Sequence, residues 1–192
     1  MTSARLHRPL ISRLIPVANP ILRTIIQLSL GVAFIGLLAQ LRVPMWPVPI
    51  TGQTLGVLLV GASYGAVLGS STLLIYLLIG ALGLPLFTGA ESGWAYMLGG
   101  TGGYLLGFVL AAALVGYLAQ RGWAQSFGGA ALAMLLGNVI IYIPGLLWLN
   151  RLAPDWATTL QWGLTPFVVG DLIKLLIAAA ALPLAWRTLG KA

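Results

Sequence analysis

Asp171 and Lys174 stand in an otherwise apolar run, Phe-Val-Val-Gly-Asp-Leu-Ile-Lys-Leu-Leu-Ile, over residues 167–177. Three residues apart on a helix, they share a face and can pair. A charge in hydrocarbon costs at least about 2.5–3.5 kcal/mol on insertion scales, so ionisable groups inside spans face a cavity, a pathway or each other. The chain has only three acidic residues, and one of them is here. The pair reads as a functional site. The blander alternative is a self-neutralising pair whose lysine reaches the headgroups.

Other polar groups fall near the same end of the sequence's apolar segments. They are Thr51, Gln53 and Thr54, then Thr88 and Thr101 around a glycine-rich stretch, and Asn138 and Tyr142 one helical turn apart. A few polar groups among aromatics suit a small, partly apolar molecule with amide-like donors. Asp171 would accept from N–H groups, while Lys174, Gln53 and threonine hydroxyls would donate to a carbonyl or carboxylate. Asn138 could equally make an interhelical hydrogen bond, and for Thr54 that structural role is the first reading.

Several chemistries are excluded. There is no cysteine, and the lone histidine is His7, so no zinc, haem or thiolate site is expected. Gly61-Ala-Ser-Tyr-Gly65 matches a nucleophile-elbow pattern but has no histidine partner and sits in apolar helix. It reads as glycine packing or a tight turn. Gly99-Gly-Thr-Gly-Gly103 could cradle an anion at a helix start, but no Walker-type lysine follows it. Glu91 and Asp155 fall in loops, which leaves Asp171 without a second acid for acid–base work. No enzymatic activity and no cofactor are expected.

The elements that must position these groups are membrane helices. The 192 residues are 59% hydrophobic and 7% charged, with a mean hydropathy of +0.99. Soluble domains carry about 25% charged residues. The apolar runs are too long for the alternating strands of a barrel, so an all-α bundle is expected. Six hydrophobic segments are expected, at about 21–41, 51–62, 64–87, 101–120, 126–148 and 166–186. The second is too short to cross, since twelve helical residues cover roughly 18 Å of a core about 30 Å thick. Residues 1–20 read as a basic tail and residues 21–192 as one transmembrane domain. Small residues at four-residue spacing, such as Gly61/Gly65/Gly69 and Gly99/Gly103/Gly107, let helices approach closely. Ser29 and Ala33 could present a partner surface.

The net charge of +7 is a topology signal. With both termini on one side, that side holds Arg5, Arg8, Arg13, Arg23, Arg121, Arg187 and Lys191, against Arg42 and Arg151 on the other. The bias predicts an inner (cytoplasmic) membrane protein with both termini in the cytoplasm. The Pro-rich 42–50 stretch, the 88–100 loop and the 150–165 loop then face outward. Trp46, Trp94, Trp148, Trp156 and Trp162 accompany them, as an interfacial belt or as the rim of a binding mouth.

Five stretches in order, residues 47–59, 83–87, 100–108, 137–142 and 166–174, resemble the BioY family, the biotin-binding S components of energy-coupling factor (ECF) transporters. The resemblance covers residues 42–181. It implies a six-helix subunit that captures biotin from outside, with Asp171 and Lys174 holding the ureido ring. It also implies that Gln53, Thr88, Gly89 and Thr101 help enclose the ligand, with Tyr104 and Tyr142 as walls. It implies docking onto a membrane scaffold (T) subunit driven by two ATPase (A) subunits. Two positions depart from the family pattern: Gly52, where a bulkier apolar residue is expected, and Gly100, where proline is expected. A self-sufficient secondary carrier acting as a homo-oligomer is the alternative. An inverted repeat would favour it, and none is visible.

Overall fold

A computed structural model describes residues 7–189. Arg5 and Lys191, both used in the topology argument, lie outside the described residues. The chain orders as α1 (Ile11–Leu14), α2 (Pro20–Gln40), β1 (Arg42–Val43), β2 (Ile50–Thr51), α3 (Gln53–Tyr64), α4 (Ala66–Ala81), α5 (Gly93–Leu98), α6 (Gly102–Gln120), α7 (Phe127–Leu149), α8 (Trp156–Gly163) and α9 (Val168–Leu189). Helices α2, α6, α7 and α9 are long and apolar enough to cross a membrane, while α3 and α4, of 12 and 16 residues, are shorter. The six expected segments thus reappear as six major helices.

Local signals set the ends. Asn19 caps α2, its side chain accepting from Ile21 N at 2.9 Å and Leu22 N at 3.2 Å, with Pro20 preset for the first turn. Gly65, at φ +80°, ends α3 and turns the chain straight into α4. That is the tight-turn reading of the elbow-like motif. Two loops hold more helix than expected. The 88–100 stretch contains α5, and the 150–165 loop contains α8, capped by Asp155 on Thr158 N at 2.7 Å. The basic N-terminal stretch also packs: Leu10 and Ile11 are buried against the bundle.

Helix α6 is the central element. Of its span, 67% is buried, against 28–39% in the other three long helices. Glycine makes this possible. A Cβ on Gly107 would lie 2.8 Å from the Ile141 backbone of α7, and one on Gly61 would lie 2.8 Å from the Ala112 carbonyl of α6. Without side chains at the crossing, the backbones pack directly. The lipid-facing sides carry exposed Leu, Ile, Val and Phe, as in Leu37, Leu110 and Ile177.

Candidate functional site

At one end of the bundle, β1 pairs antiparallel with β2, Arg42 opposite Thr51 and Val43 opposite Ile50. The short hairpin closes the Pro-rich loop and delivers the chain to the start of α3. The first turn of α3 lies beside the first two turns of α9, where Asp171 and Lys174 lie.

Asp171 is 5% exposed. Lys174 Nζ donates to Asp171 Oδ1 at 2.9 Å, to Thr54 Oγ1 at 2.9 Å and to the Thr51 carbonyl at 2.7 Å. Thr54 Oγ1 and Asp171 Oδ1 are also within hydrogen-bond reach, at 3.1 Å. The Tyr142 hydroxyl donates to Asp171 Oδ2. The carboxylate is therefore neutralised by one cation and held by side chains from three helices. The Thr51 carbonyl, at the end of β2, takes the lysine's third proton, so none of its N–H groups is stranded.

A second cluster adjoins the first. Gln53 is buried. Its Oε1 accepts from Thr51 Oγ1 at 3.1 Å and from Thr88 Oγ1 at 2.9 Å, and its Nε2 donates to the Tyr76 hydroxyl at 2.9 Å. Tyr76 in turn donates to the Leu86 carbonyl at 2.9 Å. This chain ties α3 to α4 and to the 86–88 turn.

Both clusters wall one cavity of about 40 Å³. Its polar lining includes Gln53, Thr88, Thr101 and Lys174; Tyr104, Tyr142 and Phe167 are among its aromatics. Tyr104 is fixed by a 2.8 Å hydrogen bond to the Gly163 carbonyl of α8 and stands edge-on to Tyr142, centroids 6.2 Å apart. An outer cavity of about 400 Å³ shares Pro49, Thr88, Tyr96 and Thr101 with the inner one. It also carries Arg42 and Glu91. Trp46 crosses edge-on to Trp162 at 5.2 Å, linking the Pro-rich loop to α8.

Of the nine residues anticipated from sequence, Lys174, Gln53, Thr88, Thr101, Tyr104 and Tyr142 line the inner cavity. Asp171 lies behind them, beneath Tyr142, Thr54 and Lys174. Gly89 lies outside the lining; its φ is +80°, and a Cβ there would collide with the Arg42 guanidinium. Asn138 is also outside it, buried one turn below Tyr142 with Oδ1 unpartnered. Thr54, read from sequence first as a structural interhelical contact, hydrogen-bonds across to both members of the charged pair. Gly99 is occupied structurally, its carbonyl accepting from Trp148 Nε1 at 2.9 Å. Tyr76, Tyr96 and Phe167 were not foreseen. Tyr96 is hidden in sequence because α5 reads as loop; Tyr76 finds its partner Gln53 on another helix, which sequence does not show.

The family model described as the BioY family matches residues 7–191. A protein of Thermotoga maritima described as biotin transporter BioY is 37% identical over 158 residues, 82% of this chain and 92% of its own length. One of Pyrococcus horikoshii, described as a probable biotin transporter BioY, is 38% identical over 84% of this chain and 93% of its own. The crystal structure of an S-component for biotin from an ECF-type ABC transporter superposes with a TM-score of 0.76 at 26% identity, over 89% of this chain and 94% of that one.

Proposed function

The chain belongs to the BioY family, and on that premise we propose that it captures biotin as the substrate-binding subunit of an ECF-type importer. It is a multi-pass membrane protein. The observation that carries the reading is the buried Asp171–Lys174 pair at the closed end of a cavity walled by aromatics. A cyclic urea offers two N–H donors and one carbonyl. Asp171 accepts the N–H groups, taking over from Tyr142 and Thr54, and Lys174 donates to the carbonyl in place of the Thr51 carbonyl contact. Gln53, Thr88 and Thr101 supply the polar rim, and Tyr104 and Tyr142 the apolar walls.

The inner cavity is small against the roughly 300–1,000 Å³ of ordinary ligand sites. The outer cavity extends it past Tyr96 and Thr101. The ring is assigned to the inner part, which must widen to admit it, and the acyl chain to the outer part, with its carboxylate beside Arg42. Entry therefore requires the wall formed by Pro49, Thr88, Tyr96 and Thr101 to part.

The chain carries no nucleotide motif, so energy comes from partners: a scaffold T subunit and two A subunits. The exposed α2 face around Ser29 and Ala33, beside a groove of about 600 Å³ against α3 and α9, suits the scaffold. Arg8, Arg13, Arg23, Arg121 and Arg187 gather at one end and Arg42 and Arg151 at the other, a bias that supports a cytoplasmic side for both termini.

The test is a titration of detergent-purified chain with biotin, desthiobiotin and riboflavin. Saturable biotin binding without a riboflavin response is expected. Absence of biotin binding by monodisperse protein would overturn the reading.

A further inference from the structure

A second pocket lies at the opposite end of the bundle, in the crevice between α2 and α4. It measures about 380 Å³. Arg23 and Ser12 stand on one side, Ser71 and Gln120 on the other, and Leu28 and Val67 form its apolar wall. Arg23, in the first turn of α2, is half-buried. Among the described residues, its guanidinium, the Ser71 hydroxyl and the Gln120 side-chain N–H groups make no hydrogen bond or ion pair. Gln120 is oriented by its Oε1, which accepts from Ala66 N at 3.1 Å. The pocket therefore presents donors and a cation and offers no anionic partner.

Charge sharpens the chemistry. The chain's three acidic residues are Glu91, Asp155 and Asp171, and all of them belong to the biotin-site end or its loops. The crevice end carries Arg8, Arg13, Arg23, Arg121 and Arg187 with no acidic side chain. A headgroup with a phosphate alone is matched there. A headgroup that adds a quaternary ammonium meets only cations. The position matches a lipid too: Arg23 lies at the end of a membrane-crossing helix, and Leu28 lies roughly 7.5 Å deeper along it. Val67 is 81% exposed toward the bilayer.

We infer that the α2–α4 crevice is a binding site for an anionic phospholipid. Arg23, Ser71 and Gln120 hold the headgroup phosphate, and the Leu28 and Val67 wall receives the first part of an acyl chain. The site shares no lining residue with the biotin cavity, and it borders the α2–α3–α9 groove assigned to the scaffold, meeting it at Ile11 and Tyr64.

The test is native mass spectrometry of the full chain in neutral detergent, with phosphatidylglycerol, phosphatidylcholine or inorganic phosphate added. Retained phosphatidylglycerol is expected, with phosphatidylcholine at least about tenfold weaker and phosphate unable to displace it. Arg23→Gln should weaken retention roughly fivefold, the value of about 1 kcal/mol per basic residue near an anionic surface. Ser71→Phe should weaken it by filling the crevice without changing charge. Arg121→Gln, at the same end but outside the crevice, should change it less than about twofold. Equal retention of both lipids, an unaffected Arg23→Gln, an equal loss in Arg121→Gln, or displacement by phosphate would each overturn the proposal. Asp171→Asn, measured alongside, should retain the lipid as wild type does, so a failed biotin site and a failed lipid site are told apart.

Discussion

Tyr142 donates its hydroxyl proton to Asp171 Oδ2, the carboxylate oxygen that Lys174 and Thr54 leave open. Both oxygens of the acid are thus engaged by the protein's own groups. In the proposed binding mode the ring of biotin replaces these contacts rather than filling an unused acceptor.

Asp171→Asn keeps the shape of the side chain and removes its charge. Lys174 then remains as an uncompensated cation in a mostly buried setting. A hydrogen bond to a charged group contributes about 1.5–3 kcal/mol, so biotin affinity should fall roughly 10- to 150-fold. Equilibrium binding measures it, and wild-type affinity in a folded variant would remove Asp171 from the site.

Tyr142→Phe retains the aromatic wall and deletes the donor. An interhelical hydrogen bond in a membrane protein averages about 0.6 kcal/mol and reaches about 1.7. A small drop in thermal midpoint is expected, with a loss of biotin affinity well below that of Asp171→Asn. An effect on affinity as large as that of Asp171→Asn would mean that Tyr142 touches the ligand as a donor.

Among the described residues, Arg42 is the only basic one lining the outer cavity. Arg42→Gln should weaken biotin by about 1 kcal/mol, the upper value for an exposed ion pair, or roughly fivefold. The same substitution should leave biotin amide, which lacks the carboxylate, almost unchanged. Equal losses for acid and amide would show that Arg42 acts on the loop and not on the cargo's charge.

Gly107→Val and Gly128→Ala form a matched contrast. A Cβ at Gly107 meets the Ile141 backbone at 2.8 Å, whereas one at Gly128 meets nothing within 4 Å. Overpacking typically costs about 1–3 kcal/mol, and removing a helical glycine in open space is stabilising by roughly 0.5–1 kcal/mol. Thermal unfolding in detergent should move in opposite directions. Gly107→Val should also lose biotin affinity, because it parts α6 from α7 and so Tyr104 from Tyr142.

Asp155 lies outside the spans as the cap of α8. The Thr158 backbone N–H, and after it the Thr158 hydroxyl, holds its carboxyl below the usual carboxylate value. The folded-state pKa is depressed, so the cap is fully present above the ordinary carboxylate range and is lost as pH falls through the folded value. The Thr158 amide resonance should titrate with a midpoint below that of a free aspartate, and Asp155→Ala should abolish the titration.

The parts of this architecture that were legible in sequence share one property: they break a local pattern. Asp171 and Lys174 interrupt an apolar run, and the polar start of α3 follows a Pro-rich stretch, so each announced itself. Tyr76 did not, because its partner Gln53 arrives from another helix, and only the fold joins positions 23 residues apart. Helix α5 is six residues long and bounded by Gly93 and Gly99, which read as loop residues. Helix α8 did carry a signal, Asp155 directly before Trp156, a residue type that marks a helix start. Spacing and composition led to a membrane protein with a polar-headed ligand. Biotin itself came from the family resemblance, since no single contact distinguishes a cyclic urea from another small amide.

The pairing of Asp171 with Lys174 has an electrical consequence. Moving one elementary charge through a membrane potential is worth about 2.3 kcal/mol per 100 mV. At 2.9 Å apart the two charges sum to zero within one turn of helix. A tilt or displacement of the bundle that carries this pair through the field therefore does almost no work against the potential. The pair itself adds no voltage dependence of its own, whatever the cell's polarisation.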